Sequence, residues 1–170
     1  MMSQQHKPLH IIFLGNGVEY IGEYAFQCSG ITSIVLPNSI KEFGHRPFSD
    51  CSRLERAVLP ASNFYLNGYT FAWCSNLREV TIPEGCTRLC YSMFLEDRKI
   101  ESVYLPATLV EIGENCFNGC SSLSSAIFAD PENWYVGGTS MPKEILQDEE
   151  VAARKLIALT ESNWEHRTSN

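Results

Sequence analysis

From residue 31 onwards the apolar positions recur on a fixed beat. Ile31, Ile34 and Leu36 precede Pro37, and 23 residues later Leu54, Ala57 and Leu59 precede Pro60. The same step leads to Leu77, Val80, Ile82 and Pro83, and again to Ile100, Val103, Leu105 and Pro106; Leu123, Ala126 and Phe128 continue the columns. Behind the prolines stand Ile40, Asn63, Cys86 and Leu109, then Phe43, Leu66, Leu89 and Ile112, and finally Phe48, Phe71, Phe94 and Phe117. Such repetition at a period of 20–50 residues marks a stacked-repeat architecture. Within each unit the alternation of Leu54, Ala57 and Leu59 with Arg56 and Val58 predicts a short strand, the first set inward and the second outward. Proline lacks an N–H and ends that strand's ladder.

The stretch HIIFLGNGVEYIG (residues 10–22) resembles, on its own, a strand entering a glycine-rich phosphate loop. The repeat explains it better. With Gly15 in the proline column, Ile12 and Leu14 match Ile34 and Leu36, while Val18, Ile21 and Phe26 match Leu109, Ile112 and Phe117. The step from Gly15 to Pro37 is 22 because AFQC holds one residue fewer between Phe and Cys than CFNGC. The glycines then read as turn residues supplying unusual backbone angles. No acidic residue closes the second strand, where a dinucleotide site would hold its ribose.

One such unit cannot bury its apolar side alone, so stacked units must bury one another. The runs SIVLPNSIKEFG (33–44) and LVEIGENCFNGCSSLSSAIF (109–128) resemble the BspA-like, Treponema pallidum-type leucine-rich repeat. The resemblance implies a right-handed leucine-rich-repeat solenoid with a parallel β-sheet on its concave face, in a bacterial protein that is often surface-exposed and used for binding or adhesion rather than catalysis. Residues 1–8 read as an N-terminal extension, 9–129 as the solenoid of about five 23-residue repeats, and 130–170 as a small C-terminal cap. In the cap, Asp148 and the glutamates after it predict a helix near 148–160. Trp134 and Trp164 are expected to cover the last turn.

Charge narrows the partners. The 170 residues carry a net charge of −7 with no run of Lys or Arg, so nucleic acid and anionic membrane surfaces, which need a positive footprint, are not expected. No segment approaches the roughly 20 apolar residues of a membrane span. The N-terminal apolar run of about four residues falls short of a secretory signal's core. As it stands the chain reads as cytoplasmic, whereas the family resemblance suggests the cell surface or secretion.

Seven cysteines cannot form a complete disulfide framework. Cys28, Cys51, Cys74 and Cys120 share one repeat column, with Asp97 in the remaining place. Cys86 and Cys90, like Cys116 and Cys120, have a C-x3-C look that could suggest zinc. The repeat columns explain them instead as small packed residues, and all seven are expected reduced and mostly buried. Asp97 can accept backbone N–H groups where a thiol had served. No metal, no cofactor and no catalytic residue is expected. The four histidines share no column, and no Ser or Cys has a motif-level partner for nucleophilic catalysis.

The candidate ligand-binding surface is the outward sheet face: Phe13, Val35, Val58, Thr81, Tyr104 and Ile127, with Arg56 and Glu79 beside them. An apolar stripe rimmed by polar groups suits a protein or glycan ligand, although β-branched and aromatic residues also simply favour strands. A secondary patch, Phe64, Tyr65, Tyr69 and Trp73, breaks repeat symmetry on the other side. The alternative to a binding module is a structural repeat scaffold, or part of a larger cell-surface protein with no dedicated ligand site. Little precedes Leu9 to cover the first turn, so the chain is expected either to form a homodimer through its N-terminal repeat or to continue a longer array.

Overall fold

In a computed structural model, residues 11–62 and 65–167 are described, without the side chains of Tyr65 and Leu66. Each turn of the chain contributes one longer strand and one two-residue strand. The longer strands are β1 (Ile11–Phe13), β3 (Ser33–Val35), β5 (Arg56–Val58), β7 (Glu79–Thr81), β9 (Ser102–Leu105) and β11 (Ser125–Phe128). The shorter ones are β2 (Tyr20–Ile21), β4 (Glu42–Phe43), β6 (Tyr65–Leu66), β8 (Arg88–Leu89) and β10 (Glu111–Ile112).

The longer strands pair in parallel in the order β1-β3-β5-β7, and β9, packed beside β7, pairs in parallel with β11. Register follows the repeat: Ser33 faces Arg56 and Arg56 faces Glu79, a step of 23 residues, while Ile11 faces Ser33, a step of 22. The shorter strands form a second parallel wall, β2-β4-β6 and then β8-β10. This is a leucine-rich-repeat solenoid of about five turns with a small helical cap.

A third ladder, outside any strand, closes each turn. Phe26, Phe48, Phe71 and Phe94 each donate a backbone N–H to a carbonyl of the following repeat, at 2.8 to 3.0 Å. Their rings form a continuous stack with Phe117, centroids 5.2, 5.3, 5.9 and 5.4 Å apart. Four of the five are buried, and Phe26 packs against the same core from the first turn. Stacked rings of this kind add attraction beyond their buried area.

Two places per turn adopt left-handed backbone angles. One column is Tyr24, Arg46, Tyr69, Ser92 and Asn115; the other is Cys28, Asp50, Trp73, Glu96 and Gly119. Two expectations change here. Gly15, Gly17 and Gly22 are not at positive φ, so they do not supply unusual angles; Gly15 accepts Val18 N–H at 3.0 Å in the same turn that Pro37, Pro83 and Pro106 make. That ordinary proline-type turn has no role as a phosphate cradle. Second, Cys28 takes the backbone place of Asp50 rather than that of Cys51, and its side chain is exposed. Ser29 takes the column place instead, its hydroxyl 3.3 Å from Cys51 Sγ. The residue missing from the first turn therefore shifts Cys28 out of register.

The cap comprises β12 (Trp134–Val136), β13 (Thr139–Ser140), α1 (Lys143–Gln147), α2 (Glu149–Ala158) and β14 (Trp164–His166). Asp148 Oδ1 accepts the N–H groups of Glu150 and Val151, which starts α2 where the sequence predicts. α2 packs on β11 through buried Ala152, Ala153 and Leu156. Strand β14 joins β10 antiparallel and carries β12 and β13 with it, an extension the repeat pattern does not reveal. Trp134 and Trp164 are both buried against Phe128, at 5.3 and 6.0 Å.

Candidate binding surfaces

Alternation puts Ile34, Ala57 and Val103 inside the solenoid and turns their neighbours outward. The outward row is strongly exposed for apolar side chains: Phe13 81%, Val35 47%, Tyr104 48% and Ile127 40%. Val58 is half-buried and Thr81 exposed. Ile11, 44% exposed, widens the row at the first strand. Beside it Arg56 Nε lies 3.0 Å from Glu79 Oε2, a solvent-exposed pair of small energetic weight that satisfies both charges. Thus the eight side chains expected on the sheet face stand together on one surface, held in register within β1-β3-β5-β7 and within β9-β11.

The secondary patch is larger than its sequence suggests, and differently composed. Phe64 and the Tyr65 side chain lie outside the described residues. Tyr69 and Trp73 stack 5.6 Å apart and nearly parallel. Tyr69 also meets His45 at 5.5 Å and Tyr91 at 5.4 Å edge-on, and His45 meets Tyr24 at 5.9 Å. The guanidinium carbon of Arg46 sits 4.6 Å from the Tyr69 ring centre and 5.1 Å from that of Trp73. Tyr24, the adjacent pair His45 and Arg46, and Tyr91 lie in three different repeats of the sequence. Their common signal is position: all occupy the left-handed column or the place just before it.

The thiols are structural. Cys51, Cys74 and Cys120 donate to the carbonyls of Phe26, Phe48 and Phe94 at 3.1 to 3.2 Å, tying each loop to the turn before. Cys86 and Cys90 are both buried, and burial pushes both thiols up to about 11. Cys116 and Cys74 are likewise pushed up by burial. Asp97, fully buried in the thiol column, accepts Cys74 N–H on Oδ1 at 2.7 Å, as expected of a carboxylate there.

The BspA type leucine rich repeat region matches residues 4–127 in six copies. The chain belongs to this family. Among solved structures, the chain is similar to a leucine-rich repeat protein of T. pallidum, with a TM-score of 0.62 at 21% identity. It is also similar to one from Bacteroides ovatus, with a TM-score of 0.52 at 26% identity. These likenesses cover 71% and 68% of this chain but 59% and 36% of those proteins, so this BspA-type chain spans only part of their length. No curated protein sequence matches it significantly. BspA-type repeats serve generally as a scaffold rather than as a catalytic framework. Among the described residues, no helix is long and apolar enough to cross a membrane.

Proposed function

We propose that the chain is a non-catalytic binding module of a bacterial cell-surface protein, which engages a protein ligand through the outward face of β1, β3, β5, β7, β9 and β11. The observation that supports this reading is the exposure of Phe13, Val35, Tyr104 and Ile127 in one row across the solenoid. Large apolar side chains mounted on a rigid backbone spare an interface the cost of ordering the chain beneath them, so they suit an interface centre. Polar flanks at Ser33, the Arg56–Glu79 pair, Ser102 and Ser125 supply the rim such centres have.

The test compares the native protein with a Val58→Ser/Tyr104→Ala double variant. Extracellular-matrix proteins and surface proteins of the same cell are captured on each, and affinities of the captured proteins are then measured by titration. A ligand that loses at least tenfold in affinity on the double variant, with the unfolding midpoint nearly intact, is the expected result. A captured ligand that binds both forms equally would remove the sheet face from the interface. Failure of every candidate to bind would favour the plain repeat scaffold.

A further inference from the structure

We propose a second, independent site: the Tyr24–His45–Tyr69–Tyr91 row with Arg46 and Trp73 binds an acidic oligosaccharide, the sugar rings lying on the aromatic faces and a carboxylate pairing with Arg46.

Arg46 is the centre of the case. Its side chain makes no hydrogen bond and no ion pair among the described residues, and its Nε is buried without a partner. Its contacts are the faces of Tyr69 and Trp73. Stacking holds the guanidinium in place, and with Nε buried its two terminal nitrogens are the donors left to match a carboxylate's two oxygens. Unlike Arg56, which is paired with Glu79, Arg46 thus presents an uncompensated positive charge on a protein of net charge −7.

The backbone makes this placement costly, which is what separates it from ordinary surface packing. Arg46 has φ 53° and precedes Pro47, and the residue before a proline is disfavoured even in the right-handed helical region. Tyr24, Tyr69 and Trp73 also sit at positive φ (54°, 62° and 62°). In the last repeat the same two columns hold Asn115 and Gly119, residues that suit that conformation. The fold therefore needs the left-handed angle but not bulky side chains, and the bulky ones are concentrated in the first repeats, where they form the row.

Shape and charge define the ligand. Rings on neighbouring turns are about one strand spacing apart, so Tyr24 to Tyr91 spans about 14 Å, the reach of about three sugar rings. Tyr24 and Tyr91, at the two ends of the row, are 48% and 45% exposed. Exposed Glu23 and Glu114 stand at the two ends of the row. Those ends repel a densely charged polymer, so the fitting glycan is sparsely charged, with one carboxylate opposite Arg46 beside neutral sugars.

Titration of the whole chain with a hyaluronan tetrasaccharide and with sialyllactose, read by tryptophan fluorescence and calorimetry, tests this. Chitotetraose and lactose are the neutral controls. At least one acidic sugar is expected to bind ten times or more tightly than its neutral control, and Arg46→Gln is expected to erase that difference. Tyr24→Ser should weaken binding several-fold without moving the unfolding midpoint, and it keeps the site testable if Arg46→Gln proves poorly folded. Indifference to the carboxylate, insensitivity to both variants, or no binding of either acidic sugar at millimolar concentration would overturn the site. Binding of a peptide carboxylate in preference to both sugars would do so too. The sheet-face variant Val58→Ser/Tyr104→Ala should leave this binding unchanged, which separates the two sites.

Discussion

Cys74 donates its backbone N–H to Asp97 Oδ1 at 2.7 Å, and the other oxygen of that carboxylate is buried with no partner among the described residues. In this column the thiols of Cys74 and Cys120 donate to the Phe48 and Phe94 carbonyls, so Asp97 stands where a donor to Phe71 belongs. A neutral carboxyl keeps one oxygen as acceptor and supplies a donor with the other. Burial pushes the Asp97 carboxyl well above the ordinary carboxylate range, against the opposing effect of the Cys74 N–H.

Stability should therefore depend on pH through Asp97, and the sign follows from linkage. The folded pKa is raised, so the folded state holds more protons than the unfolded chain between the two values. The contribution of the neutral carboxyl is full below about pH 4 and is lost as pH rises through the folded value. Asp97→Asn keeps the shape without the charge and is expected to stabilise by about 1–3 kcal/mol at pH 7. Its advantage over the native chain should shrink toward acid. Denaturant unfolding at a series of pH values measures it; an advantage that does not change with pH would contradict a neutral Asp97.

Native protein should show one fast thiol. Cys28 is exposed and the other six cysteines are buried. Thiolate is the reactive form, and burial raises the Cys86 and Cys90 thiols to about 11; Cys51, drawn down to about 7 by its hydrogen bond with Cys74, is shielded by its full burial alone. A disulfide-exchange reagent should consume one equivalent quickly, and unfolding without reductant should release all seven. Cys28→Ser should abolish the fast phase. Two or more fast thiols, or far fewer than seven after unfolding, would mean that the loops open or that disulfides exist.

At Gly44 and Gly113 the backbone of the preceding turn leaves no room for a Cβ. A Cβ on Gly113 would overlap the Tyr91 backbone nitrogen, whereas one on Gly22 meets nothing nearer than 3.8 Å. Gly113→Ala should cost about 1–3 kcal/mol through forced backbone shifts. Gly22→Ala, at the equivalent place in the first turn, should be close to neutral. Chemical unfolding of both variants gives the comparison, and equal losses would show that the spacing between turns can relax.

The first turn should support self-association. Among the described residues β1 is the edge strand of its sheet, with Ile11 44% and Phe13 81% exposed. Pairing two such ends by a two-fold axis would cover both edges. Light scattering should show a concentration-dependent dimer that Ile12→Glu reduces to monomer. A native chain that stays monomeric at high concentration leaves no role for that pairing.

Periodicity alone carried the solenoid, because each buried column must repeat at the strand spacing for neighbouring turns to fill one another's core. Leu54, Leu77 and Ile100 are buried for that reason, and the 22-residue step from Ile11 to Ser33 survives as strand register. Asp148 likewise announced α2 through local capping chemistry. Tertiary structure decided what local pattern cannot encode. One missing residue moved Cys28 outward and put Ser29 beside Cys51, because the loop's hydrogen bonds hold its left-handed positions and let side-chain identity slip. The union of Tyr24, His45, Arg46, Tyr69, Trp73 and Tyr91 is also a product of stacking: residues one repeat apart in sequence become neighbours only when the turns superpose. The β14 strand joined β10 for a further reason, since the open edge of the last turn needed hydrogen-bond partners that no repeat could supply.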